Sequence, residues 1–248
     1  MDVNAQIRTG LQNQGLPPPS LAWIQTALPS RSPLPPLPAL VATVKTRLLA
    51  ADLTNPVIFD SQTSSFPPNL SNPTVKEVTL PRDTLVQVLD IDNLTKSKWE
   101  QVEELEAISR GEQTKGREII RLPTANEEEE EDPSYNQTQP IASSTAKNSL
   151  VTTNSAPRSS THRLVLQDCK GQKVYGLELK RIDKIGIGTL NIGEKLLVKR
   201  GAVVARGTVL LEPANCTVMG GKVEAWQKAW FENRLTRLRI VVGADSGS

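Results

Sequence analysis

At 248 residues the chain has room for one or two domains, and 38% apolar content with 18 prolines leaves part of it outside any packed core. No apolar run is long enough to span a bilayer and the first residues lack a signal-peptide apolar stretch, so a soluble, non-secreted protein with no membrane role is expected. The formal charge of +2 divides into +1 over residues 1–73, −6 over 74–162 and +7 over 163–248. A basic last third beside an acidic middle favours an acidic partner, or an acidic stretch that competes with one.

Val3, Ile7 and Leu11 recur at helical spacing, with Gly15 as a plausible C-terminal cap. Pro17, Pro18 and Pro19 stop that helix, and proline is tolerated where the next begins, over 21–28. The Pro-rich stretch 29–38 is read as a rigid spacer rather than a ligand for a proline-binding domain. Residues 39–53 place Leu40, Val44, Leu48 and Leu49 on one side of a third helix. These three make a helical bundle over residues 1–54, followed by a polar loop over 55–78.

Residues 85–94 alternate as a strand. Leu85, Gln87, Leu89 and Ile91 share one face, and Val86, Val88, Asp90 and Asp92 the other. The two aspartates have no His or Glu at a fixed offset, so they read as solvated strand-end charges rather than an acid–base or metal pair. Ser97 and Glu100 have capping-box spacing, and Trp99, Val102, Leu105 and Ile108 carry a short helix to about 109. Residues 124–161 have a disordered composition, with six consecutive acids from Glu127 to Asp132.

From 163 to 223 short apolar alternations are separated by turn residues. They include Leu164 and Leu166; Tyr175, Leu177 and Leu179; Leu196 to Val198; Ala202 to Ala205; Val209 to Leu211; and Cys216 to Met219. Such runs read as antiparallel strands of a small barrel, with Leu210 central to its strand and expected in the core. One strand, a long interruption and then four or five more fit an OB-fold, a five-stranded Greek-key barrel. The expected class is α+β. A three-helix bundle packs on a five-stranded barrel over 75–240, with an insertion at 112–162 between the first two strands and one C-terminal helix. In that helix Trp226 and Trp230 either plug the barrel, pack on the N-terminal bundle or anchor a partner.

Three stretches carry a family resemblance. They are Gly193-Glu194-Lys195 followed by aliphatics, Gly207-Thr208-Val209-Leu210-Leu211-Glu212-Pro213-Ala214-Asn215, and Val218-Met219-Gly220-Gly221-Lys222-Val223. With Val88 to Asp92 and the Pro-Pro joint before Leu21-Ala22-Trp23-Ile24, they resemble the RecQ-mediated genome instability protein 1 family over about four-fifths of the chain. The resemblance implies a nuclear, non-catalytic scaffold of the fungal, single-barrel type. It implies binding to a type IA topoisomerase III and, through it, a RecQ-family helicase, in double Holliday junction dissolution and DNA repair. In the family the insertion reaches into the topoisomerase and influences its gate. Here Arg117, Ile119, Ile120, Arg121 and Leu122 are its clustered apolar and basic residues, and they are the expected contacts.

Catalysis finds no support in the residues, and no cofactor or metal is expected. His162 is the one histidine, read as a surface imidazole. Cys169 and Cys216 lack metal-ligand spacing and read as reduced thiols. The rival function is single-stranded nucleic-acid binding. Lys180, Arg181, Lys184, Arg200 and Arg206 would attract a backbone weakly, but Tyr175 is the only aromatic between 163 and 223. On the strand after Gly193, a lysine cannot face a barrel interior unpaired. Lys195, Leu197 and Lys199 are therefore expected to point outward as a partner patch, unless the helical bundle covers Leu197.

Overall fold

The computed structural model describes residues 2–29, 34–112 and 160–243. The clustered residues Arg117, Ile119, Ile120, Arg121 and Leu122 lie outside them. Among the described residues there are six helices and eight strands, against the three-helix bundle, five strands and single C-terminal helix expected. The α+β class stands.

Helix α1 (Val3–Gln12) starts at Asp2, whose carboxylate accepts from Asn4 N at 3.1 Å. Its stripe buries Ile7 and Leu11. Helix α2 (Leu21–Ala27) is capped by Ser20, which accepts from Trp23 N at 3.1 Å. Helix α3 (Leu37–Ala50) has proline in its first turn, where no N–H is needed. Leu40, Val44 and Leu48 join Ile7, Leu11 and Ile24 in one hydrophobic core.

The strands are β1 (Glu77–Thr79), β2 (Thr84–Asn93), β3 (His162–Asp168), β4 (Lys173–Glu178), β5 (Lys195–Val198), β6 (Val203–Ala205), β7 (Thr208–Leu211) and β8 (Cys216–Gly220). Helix α4 (Lys98–Ser109) follows β2 and opens with the expected capping box of Ser97 and Glu100. The strand order is β1-β6-β7-β4-β3-β2-β5-β8, antiparallel except where β4 runs parallel to β7. Since β5 and β6 lie near opposite ends of this row yet only residues 199–202 join them, the row must curl on itself, forming a half-barrel whose edge strands β1 and β8 do not pair.

Three strand readings are corrected. Strand β2 has a bulge between Val88 and Asp90, which reverses the alternation. Ile91 therefore joins Val86 and Val88 inside the barrel, while Leu85 packs in the helical core. In β7 it is Val209 and Leu211 that are buried, and Leu210 is half-exposed. The polar stretch before β2 contributes β1 and buries Phe66 and Leu70 in the barrel core. Phe66 N donates to the Asp168 carboxylate at 2.8 Å, which also accepts from Lys170 N at 3.0 Å and Gln172 N at 2.8 Å.

The C-terminal helix is two helices, α5 (Glu224–Glu232) and α6 (Arg234–Val242), breaking at Asn233. Trp230 is buried in the barrel core with Trp226 against it, so these side chains pack the barrel. The Trp230 Nε1–H donates to Asp90 at 2.6 Å.

Candidate partner-binding surface

One flank of the barrel is sealed against the helical domain. Gln87 on β2 accepts from Leu53 N at 2.9 Å, and its amide donates to Asp52 at 2.7 Å and Gln167 at 3.1 Å. Lys195 stands opposite Gln87 on β5 and is 0% exposed. This corrects the expected outward patch. Lys195 does avoid the barrel interior, but the face it takes lies under the helices. Its ammonium donates to Gly193 O at 2.5 Å. Burial lowers its pKa to about 8, opposed by the charges of Asp52 and Glu194. Burial pushes Glu194 up, against hydrogen bonds from Asn191. Burial acts the same way on Asp52, but hydrogen bonds from Gln87 and Thr54 outweigh it and its pKa falls.

Leu197 is half-buried below the turn after α1, where a Cβ on Gly15 would stand 3.6 Å from its Cδ2. The helical domain thus covers it. Only Lys199 of the patch is exposed, and its ammonium donates to Ala214 O at 3.2 Å.

His162 is also corrected, since it is buried and not a surface imidazole. It and Glu178 are each 1% exposed, with Nδ1 2.8 Å from the carboxylate. Glu178 also accepts from His162 N at 3.2 Å, Ile182 N at 2.7 Å and Arg181 at 3.4 Å. This cluster fixes the point where the chain enters β3. The Asp90 and Asp92 carboxylates are paired rather than free in solvent. Arg237 is 3.3 Å from Asp90, and Arg163 is 3.3 Å from Asp92, which Lys98 also contacts. Among the described residues no group of His, Cys, Asp or Glu could hold a metal. No helix there is long and apolar enough to cross a membrane. Both cysteines are free, and burial pushes the Cys216 thiol up to about 12.

Among the described residues the other flank of the barrel is open. The outward row of β3, β4 and β7 pairs Val165 with Tyr175 and Leu177 with Leu210, all half-exposed or exposed. Leu179 extends the row at 54% exposure. On the side toward α6 a hollow of about 460 Å³ is lined by Val165, Ile240 and Val241 and edged by Asp92, Arg163 and Arg237. Ile240 and Val241 are 62% and 67% exposed. An apolar strip with a charged rim has the anatomy of a protein interface. Period-2 alternation could have located it in the sequence, had the parity of β7 been legible.

The basic candidates do not form one site. Lys180 is paired with Glu212 at 2.7 Å, and Arg181 is tied to Glu178 and to Ile185 O at 2.9 Å. Lys184 is exposed in the loop before β5, and Arg200 is exposed in the β5–β6 turn. Arg206, in the β6–β7 turn, alone borders a hollow beside Tyr175.

Residues 66–234 match the family model described as RMI1, N-terminal OB-fold domain, and residues 11–56 match RMI1, N-terminal helical domain. The RecQ-mediated genome instability protein 1 of Schizosaccharomyces pombe is 32% identical over 154 residues, which cover 61% of this chain. The match spans 60% of that relative's length. With the OB-fold model matching most of the residues, the chain belongs to the RecQ-mediated genome instability protein 1 family.

Proposed function

We propose that this protein is a non-catalytic scaffold subunit in the nucleus. It binds a type IA topoisomerase III and, with it, a RecQ-family helicase in double Holliday junction dissolution and DNA repair. Family membership supports the genome-stability role. The observation that carries the docking reading is the open apolar row Val165, Leu177 and Leu210 continuing onto Ile240 and Val241. Ile240 and Val241 are exposed and Val165, Leu177 and Leu210 partly so, and covering what they leave in water is a favourable term in association.

The test is capture of purified topoisomerase III by the full chain at low and moderate salt. An apolar interface survives the salt increase, whereas a phosphate-like attraction does not. Leu177→Ser with Ile240→Ser lowers capture at least about tenfold with little change in melting temperature, as expected for central interface residues. Undiminished capture by that variant removes this face from the account.

A further inference from the structure

A second hollow, of about 340 Å³, lies between α4 and the break from α5 to α6. Leu105 and Ile108 of α4, Ile187, and Leu235 of α6 form its apolar wall, and all four are half-buried. Gln101, which is 3% exposed, fixes the approach to α4 by donating to Asn93 O and Lys96 O, each at 3.1 Å. Two polar side chains on this wall hold bonding capacity that the described chain does not use. They are His162 and Arg234.

The Nδ1 of His162 faces Glu178, whose carboxylate can only accept and already does so from His162 N, Ile182 N and Arg181. Nδ1 therefore carries the proton, and in the neutral ring Nε2 is an acceptor. It is the one polar atom the imidazole has left for the hollow, and no described residue donates to it. Arg237 and Arg239, on the same helix as Arg234, pair with Asp90 and Glu106. Arg234 has no carboxylate at ion-pair distance and donates no hydrogen bond to a described residue. Its guanidinium lies 5.2 Å from the centroid of the Trp230 ring, half-buried, and burial lowers its pKa. A guanidinium drawn out of water with its donors unused is complemented by an anion in the same hollow.

We propose that this hollow binds an acidic peptide of a partner protein, taking in one tryptophan whose indole N–H donates to His162 Nε2 while a neighbouring carboxylate pairs with Arg234. Tryptophan brings a large apolar ring and a polar atom that only donates, which matches an apolar wall with an acceptor on it. A volume at the low end of ligand sites suits a single large side chain. A nucleic-acid backbone does not fit, because it needs several cations along a groove and here Lys96 is already bound to Glu104. The proposal does not depend on topoisomerase binding.

The experiment is fluorescence anisotropy of a labelled synthetic peptide, one central tryptophan flanked by glutamates and aspartates, titrated with the full chain. Arg234→Gln lowers affinity at least about tenfold, as expected for a lost charge-assisted hydrogen bond, with little change in melting temperature. A second peptide carries naphthylalanine for tryptophan, which keeps the ring and removes the N–H. It binds the parent at least about fivefold more weakly, because Nε2 is then covered without a donor, and this reads His162 without disturbing its bond to Glu178. Leu177→Ser with Ile240→Ser binds the tryptophan peptide as the parent does. The proposal is overturned if Arg234→Gln binds like the parent or if the naphthyl peptide binds as tightly as the tryptophan peptide. Loss of binding in the Leu177→Ser, Ile240→Ser variant overturns it too, by moving the peptide to the open row. So does the absence of binding by the full chain at low salt, which would leave the hollow to the chain's own acids at 127–132 or to no peptide at all.

Discussion

Replacing Lys195 by methionine should change how stability depends on pH, not only its value. The side chain has no exposed surface, and its pKa falls from 10.5 to about 8 because burial disfavours the ammonium more than Asp52 and Glu194 favour it. In the unfolded chain lysine returns to about 10.4. Below pH about 8 both states hold the proton, so the burial penalty acts in full. Between about 8 and 10.4 the unfolded chain binds more protons, so stability rises with pH. A displacement of about two and a half pH units corresponds to a rise on the order of 3 kcal/mol. Lys195→Met has no proton to lose there. Its stability relative to the parent should therefore be greatest near neutrality and fall by about that amount at high pH. Asp52, whose pKa is held down by hydrogen bonds from Gln87 and Thr54, stays ionised throughout this window and leaves the trend alone. Urea unfolding of both proteins at pH about 7 and about 10 measures it. A stability difference that does not change with pH would mean that Lys195 is solvated and the seam is not sealed.

Leu211→Ala should cost ~2–5 kcal/mol, but Leu210→Ala under ~1.5 kcal/mol, because only Leu211 lies in the core; melting temperatures separate them. Glu178→Leu leaves the N–H groups of His162 and Ile182 without their acceptor and should cost ~3–5 kcal/mol, read from the urea midpoint. Gly221→Ala should cost at least ~2 kcal/mol by thermal melting, since φ is 88° and a Cβ would stand 2.3 Å from Leu49 O.

Local rules were the legible part of the sequence. The Ser97–Glu100 box, the Ile7–Leu11 stripe and the Leu164–Leu166 alternation each depend on neighbours within a turn or a strand. What escaped depends on distant partners. A bulge at Leu89 cannot be read from the residues, because apolar side chains fall on both alternating faces of 85–91. The run Val209-Leu210-Leu211 has no polar residue to fix its parity, so the expectation of a core Leu210 picks the outer face. Lys195 lies outside the barrel core, but only the fold shows that the face it takes is covered by the turn after α3. His162 and Glu178 are 16 positions apart and meet through the β3–β4 pairing, which left the histidine looking exposed. The open face followed the same pattern. Tyr175 and Leu177 alternate visibly, but their continuation onto Ile240 and Val241 is a property of the assembled barrel.

Amide hydrogen exchange of this chain with and without topoisomerase III tests the scaffold account most directly. Complex formation should slow exchange in β3, β4, β7 and α6, around Val165, Leu177, Leu210 and Ile240, while α1, α2 and β5 remain unchanged. Protection confined to the helical domain, or none at saturating topoisomerase, would contradict it.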